Sequence, residues 1–320
     1  RRLRGARLVG RRALRRRRAA RGCVGLGRHW GGPRTHRHRR RWRARLRAHH
    51  LERRARLGAG GLGAGGKGFF ALDVTDPSLL FASEGSARNA VLWEFGHDDD
   101  TYPLDTNGNP LGGAIGAITD PTGQPVKDLG YSISLPSIAM SNVKDTDTEQ
   151  EWIAIFGNGP NSTSGIATLF VLFMDKGRDG WGSGDFTKVS TGFGVPLPGE
   201  GLAGYPNGLG SPTAVDVDLN GTTDYVYAGD QLGNLWRFDL TSTNASNWEA
   251  VRLFQALNDN PSIATIQPIL SRPLVTKHPT QAGFLITFGT GSVITNEDGG
   301  NTDIQSIYTI WDELGTNPPT

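Results

Sequence analysis

From residue 67 onward, apolar residues fall in short runs, each closed by Gly, Asn, Asp or Pro. The runs are rich in β-branched and aromatic residues, which suit a pleated surface, and the closing residues suit turns. No stretch carries a clear helical period of apolar positions. The pattern predicts an all-β chain, and its runs recur in threes. Residues 134–139 (SLPSIA), 152–157 (WIAIFG) and 168–175 (TLFVLFMD) make one unit. Residues 211–215 (SPTAV), 224–229 (DYVYAG) and 233–239 (GNLWRFD) make the next, and 271–275 (SRPLV), 284–289 (FLITFG) and 306–312 (SIYTIWD) a third. Residues 68–73 (GFFALD) read as an isolated last strand that opens the series, with 91–95 (VLWEF) as the outer strand after it.

Such a unit has the marks of a propeller blade. It begins with Ser and Pro at a strand entry, where a missing N–H is tolerated. Its second strand ends in Gly, read as the residue that permits the tight turn. Pro136, Pro212 and Pro273 set a repeat of 76 and then 61 residues. Common blades take about 40–50 residues, so the surplus is expected in loops at 177–210 and 242–268. A single twisted sheet cannot bury both faces, so the units are expected to stack. The expected fold is an all-β propeller with quinoprotein-like blades, about three to four of them here, cut from a longer protein. A β-sandwich with accidental similarity is the competing fold.

Composition divides the chain in two. Overall, 34 Lys and Arg face 31 Asp and Glu, yet 23 arginines and a single acid, Glu52, lie in residues 1–66. The remainder holds 11 basic against 30 acidic residues and no cysteine, since the one Cys is Cys23. A disulfide scaffold and a Cys-ligated zinc site are thereby excluded from the acidic part. Residues 1–56 are Arg-rich and of low complexity, and read as a disordered segment or an out-of-frame translation of a GC-rich gene. A basic arm that neutralises phosphates is a further reading. Residues 57–320 form the expected partial propeller. No apolar run reaches the roughly 18 residues that span a bilayer, and no signal peptide is visible.

The strongest chemical signal lies at residues 216–224, DVDLNGTTD. Calcium prefers six to eight oxygen ligands, and oxygens at alternate positions of a tight loop can converge on one point. The expected ligands are the side chains of Asp216, Asp218, Asn220 and Asp224 and the backbone carbonyl of Thr222, with Asp224 bidentate. Gly221 permits the bend. The first six residues match the start of an EF-hand loop, but position 12 would be Tyr227, so the last ligand arrives early and the flanks are strands. Carboxylates this close repel without a cation. Magnesium suits the site less, because it demands octahedral geometry and retains water. An acidic turn that merely solvates is the competing reading. Residues 145–151 (DTDTEQE) lie in the analogous loop of the preceding unit but lack the central Gly. Residues 98–100, 105–109 and 296–303 read as surface turns. His97 and His278 read as exposed loop histidines, and no nucleophile elbow, phosphate loop or zinc-protease helix is present. The reading is non-enzymatic. The alternative enzyme class is a PQQ-type quinoprotein dehydrogenase, suggested by strand ends such as WRFD at 236–239.

With these pieces in hand, the chain resembles the C-terminal β-propeller of the PilC/PilY family, the type IV pilus biogenesis and tip-adhesin proteins. The resemblance rests on residues 65–77 (GGKGFFALDVTDP), 130–136 (GYSISLP), 156–159 (FGNG) and 211–239 (SPTAVDVDLNGTTDYVYAGDQLGNLWRFD). It does not reach residues 1–56. It implies a secreted or surface-associated protein at the pilus tip or outer membrane that regulates pilus extension against retraction and supports adhesion. It also implies a calcium site on Asp216, Asp218, Asn220, Thr222 and Asp224. Pilus subunits or minor pilins are the implied partners, with host-surface receptors reached through an N-terminal region absent from this chain. No nucleic acid and no membrane span are expected.

Overall fold

A computed structural model of the chain describes residues 56–80, 82–100, 127–145, 149–194, 206–257, 266–294, 298–300 and 302–314. The Arg-rich segment 1–55 lies outside the described residues, as do residues 105–109. Within them, fourteen strands form four antiparallel sheets. Blade 1 is β1 (Leu57–Gly61), β2 (Gly68–Asp73) and β3 (Val91–Gly96), with β2 central. Blade 2 is β4 (Ser137–Lys144), β5 (Gln150–Gly157), β6 (Thr168–Phe173) and β7 (Phe186–Ser190), paired in chain order. Blade 3 repeats that order with β8 (Thr213–Val215), β9 (Tyr225–Gly229), β10 (Asn234–Asp239) and β11 (Glu249–Gln255). Blade 4 is β12 (Leu274–Lys277), β13 (Phe284–Gly289) and β14 (Ile307–Asp312). Two short helices, α1 (Pro77–Leu80) and α2 (Glu84–Ala90), join β2 to β3, and the Ser83 side chain caps α2 by accepting from Ser86 N.

The three predicted strand triplets form as expected. Three expectations are corrected. Residues 68–73 are not isolated but form the middle of a sheet, because the Gly-rich run before them is itself a strand. Gly60 has no Cβ where the Phe70 ring lies, 2.9 Å from the position a Cβ would take. The segments assigned to long loops, 177–210 and 242–268, contain β7 and β11, the outer strands of blades 2 and 3. The strand-ending glycines Gly157 and Gly229 do not serve turns through positive φ. They sit where one blade's backbone meets the next. A Cβ on Gly157 would lie 2.1 Å from Gly210 O, and one on Gly229 would lie 2.4 Å from Ile269 O. The equivalent Gly289 of blade 4 has nothing within 4 Å.

The core lies between blades, and the period-two alternation of a strand assigns each residue to one of two seams. In blade 2, Ala154, Phe156, Phe170 and Leu172 face Phe69, Ala71 and Phe95 of blade 1. The intervening residues Ile153, Ile155, Leu169, Val171 and Phe173 face Val226, Ala228, Trp236 and Phe238 of blade 3. Blade 3 in turn sends Tyr227 and Leu235 against Phe284, Ile286 and Phe288 of blade 4. This is why β6 reads TLFVLF without a polar break: both faces are covered. Each fully buried side chain of this size contributes about 1.5–3 kcal/mol. Blade 4 keeps a solvent-facing side, where Leu274 and Ile307 are exposed.

Small polar clips fix the registration of the seams. Ser134 Oγ accepts from Gly157 N in its own blade and donates to Gly210 O of the next. Leu135 N donates to Ser211 Oγ, and Thr213 Oγ1 donates to Pro273 O. The Ser and Pro residues at each strand entry thus join neighbouring blades as well as starting a strand.

Candidate metal centre

Residues 216–224 connect β8 to β9 at one end of blade 3. The sequence folds the loop through short side-chain to backbone bonds. Asp216 Oδ1 accepts from Leu219 N (2.7 Å) and its Oδ2 from Gly221 N (2.8 Å). Asp218 Oδ1 accepts from Asn220 N (3.1 Å) and its Oδ2 from Asn220 Nδ2 (3.0 Å). Gly221 has φ 95° and Leu219 φ 64°, so the chain turns twice through left-handed backbone. Leu219 is left exposed at the tip.

Asp216, Asp218 and Asp224 each bring one carboxylate oxygen to within 4.8 Å of the others. Calcium–oxygen bonds of about 2.3–2.6 Å place two ligands no more than about 5.2 Å apart, so these oxygens fit around one ion. Three carboxylates at this spacing repel by about 1 kcal/mol per pair even with the screening of bulk water. Their backbone donors offset part of that. The all-oxygen donor set is that of a hard cation, and a thiol or imidazole is not among it.

The loop has two unequal halves. Asp218, Leu219, Asn220 and Gly221 are exposed, whereas Thr222, Thr223 and Asp224 are buried. Asp224 Oδ2 accepts from Val217 N at 2.8 Å, and Asn142 Nδ2 stands 3.5 Å from Oδ1. Oδ2 of the expected bidentate ligand therefore already has a donor that orients the carboxylate, and both oxygens have lone pairs over. Asn220 Oδ1 accepts from Thr222 N (2.8 Å), with Thr222 Oγ1 also in contact with it. The sequence singled out all five of these residues. It did not single out Asn142, which comes from β4 of the preceding blade, and no local signal connects two positions so far apart in the chain.

Several other acidic or titratable positions have structural partners. Asp100 is not on a surface turn. It is buried and accepts from Asp128 N (2.6 Å), Leu129 N (2.7 Å) and Lys188 Nζ (3.1 Å). Lys188 also reaches Asp128 Oδ2 at 2.7 Å. Burial draws its pKa down, but the two carboxylates outweigh burial and hold it above the ordinary value. Asp230 is fully buried and accepts from Asn207 Nδ2, Asn234 Nδ2 and Trp236 Nε1; burial pushes its pKa up despite these donors. His97 and His278 are half-buried rather than exposed. His278 Nδ1 accepts from Gln281 N (2.9 Å), and its ring lies 4.9 Å from that of Trp311. In the weaker acidic loop, Asp145 Oδ1 accepts from Glu149 N (3.1 Å), while residues 146–148 lie outside the described residues. Asp298 Oδ2 accepts from Ile294 N (2.6 Å), while residues 295–297 and 301 lie outside the described residues. Among the described residues, no helix is long and apolar enough to cross a membrane.

Residues 47–317 match the family model described as the PilY1 beta-propeller domain. The chain belongs to this family. The match begins ten residues before the boundary drawn from composition. Among PilY1 relatives, the type IV pilus biogenesis factor PilY1 of Pseudomonas aeruginosa strain PAO1 is 31% identical over 276 residues, covering 79% of this chain and 19% of that protein. A PilY1 homolog of Xylella fastidiosa strain Temecula1 is 32% identical over 264 residues, covering 79% of this chain and 15% of that protein. The crystal structure of the P. aeruginosa PilY1 C-terminal domain superimposes with a TM-score of 0.57 at 30% identity, covering 81% of this chain and 46% of that domain. The chain thus spans a fifth or less of the PilY1 relatives it matches, and its four sheets are propeller blades.

Proposed function

We propose that this chain is the calcium-binding propeller portion of a type IV pilus assembly protein. In this reading it lies at the pilus tip or outer surface, regulates pilus extension against retraction, and supports adhesion. Family membership and the relatives' role as pilus biogenesis factors support the pilus assignment. The observation that carries the metal assignment is the approach of the Asp216, Asp218 and Asp224 oxygens to within 4.8 Å of one another. Asn220 Oδ1 and the Thr222 carbonyl would complete the donor set from the same loop. A bound calcium ion supplies the positive charge that cancels the mutual repulsion of the carboxylates. The chain's own part is to hold Asp224 fixed, to fold Asp216 and Asp218 back through Leu219 and Gly221, and to present a rigid hairpin to pilus subunits or minor pilins. Host receptors would be met by regions of the protein outside this chain.

Isothermal titration of calcium into the chain tests the metal assignment. Binding heat is expected in the wild type and its loss in Asp224→Ala. At a free concentration 100 times Kd, calcium would stabilise the fold by about 2.7 kcal/mol, visible as a raised urea midpoint. Absence of heat, or heat that survives Asp224→Ala unchanged, rejects calcium. For the pilus role, the intact gene carrying Asp224→Ala should change the number of surface pili in a strain lacking its own copy. An unchanged count would separate the loop from pilus control.

A further inference from the structure

We propose that Asn142, a residue of blade 2, is a positioning residue for the metal loop of blade 3, so that ion occupancy and the seam between the two blades are coupled. This rests on the calcium reading of that loop. Asn142 lies where the pairing of β4 with β5 loses register, between Met140 and Lys144. Such a bulge leaves residues unpaired and re-aims their side chains. Here the Asn142 amide is aimed across the seam. Its Nδ2 donates to Thr223 O (3.0 Å) and Leu240 O (3.1 Å), and its Oδ1 accepts from Thr222 Oγ1 (2.8 Å). The neighbouring Met140 O accepts from Thr223 N (2.7 Å). One amide thus grips both the end of the loop and the residue after β10, and Leu240 N closes the circuit by donating to Asp224 O (2.8 Å).

The consequence follows from which half of the loop can move. Asp224 is buried, its carboxylate held by Val217 N and its main chain by Leu240 N beside the Asn142 amide, whereas Asp218 is exposed and bonded only within its own turn. Repulsion among the three carboxylates is therefore relieved by displacement of the exposed half. An ion that draws Asp216 and Asp218 back works against the fixed point that Asn142 provides. Without that point, part of the binding free energy goes into ordering residues 222–224. Linkage is reciprocal, so whatever Asn142 adds to affinity, the ion returns as strength of the blade 2 to blade 3 seam.

The test is a calcium titration of the full chain with wild type, Asn142→Ala and Asp224→Ala, together with hydrogen exchange with and without calcium. Loss of a group behind a ligand commonly weakens metal binding about 10- to 100-fold, and Asn142→Ala is expected to raise Kd about tenfold. A purely structural role would lower metal-free stability and leave Kd where it was. In the wild type, calcium should slow exchange at Thr223 N, the amide that bonds across the seam to Met140, as well as within the loop. If Asn142→Ala does not fold, the wild-type exchange data decide the matter. Calcium binding in Asn142→Ala at the wild-type Kd, or protection confined to residues 216–221, overturns the coupling alone. No calcium binding in the wild type overturns the metal reading and the coupling with it.

Discussion

Replacing Asp312 with Ala should loosen the seam between blades 3 and 4 more than any other single polar change. The Asp312 side chain is fully buried. It accepts from Arg237 Nη1 at 2.7 and 2.9 Å, from Tyr227 OH at 2.8 Å and from Leu314 N at 3.0 Å. The Arg237 side chain is only 9% exposed, so water cannot replace the lost carboxylate without opening the seam. Removing one partner of a buried pair costs about 3–5 kcal/mol. The Tyr227 hydroxyl, stripped of its acceptor, would add about 1–3 kcal/mol if fully independent, but it shares the same pocket and the two costs overlap. A loss of about 4 kcal/mol is expected, against a total stability of about 5–15 kcal/mol for a domain. That is roughly a thousandfold in the folded-to-unfolded ratio. Urea denaturation read by tryptophan fluorescence is the assay, since Trp236 and Trp311 lie on the two blades concerned. The matching control is Arg237→Met with Asp312→Leu and Tyr227→Phe together, which removes charge and hydroxyl at once and should fall within about 1 kcal/mol of wild type. A cost below about 1 kcal/mol for Asp312→Ala, or a triple variant as unstable as the single one, would show that this pair does not hold the seam.

The other expectations concern packing and pH. Phe156 lies between the Phe69 ring, 3.7 Å away by centroid, and the Phe170 ring at 5.5 Å; Phe156→Ala should cost about 3–5 kcal/mol, seen as a lowered urea midpoint at unchanged slope, and a shift under 1 kcal/mol would mean that blades 1 and 2 close over the gap. Burial first, and then Asp312, hold the Tyr227 hydroxyl above its ordinary pKa. The folded chain therefore keeps a proton that the unfolded chain releases. The resulting stability is complete below about pH 10 and is lost as pH climbs from there through the folded value. Tyr227→Phe should flatten the alkaline fall in stability between pH 9 and 11, as measured by denaturation at each pH, and an identical fall in the variant would exclude this hydroxyl as its source.

How far the sequence revealed this molecule depends on where each signal is stored. The strands at 152–157, 168–173 and 225–229 are covered on both faces, so their apolar residues run on and can be read locally, and 234–239 is broken only by the buried Arg237. The outer strands β7 (FTKVS) and β11 (EAVRLFQ) mix buried apolar positions with polar and charged ones. Their polar positions resemble loop composition, and they went unrecognised between glycines and asparagines. β1 was hidden for the opposite reason: LGAGG looks like a linker until the ring of Phe70 is placed over it. The metal loop was legible because all its donors lie within nine consecutive residues. Asn142 and Asp100 were not, because their partners are distant in the chain and only the stacking of blades brings them near. Asp100 in particular sits in a run of three aspartates whose composition says surface, and it is Lys188 on another blade that makes it interior.

The glycines that end β5 and β9 place a limit on how this architecture can diverge. Where side chain meets side chain across a seam, a change on one blade can be answered by a complementary change on its neighbour, and shape is recovered. Where a Cβ would meet main chain, as on Gly157 against Gly210 O and on Gly229 against Ile269 O behind the Ile269 side chain, shrinking the facing residue does not clear the carbonyl. Even a methyl group there would act as a wedge and change the angle between blades, and that error would be carried to the blades stacked after it. Drift among copies of the repeat is thus free in its apolar filling and closed at these two hinges.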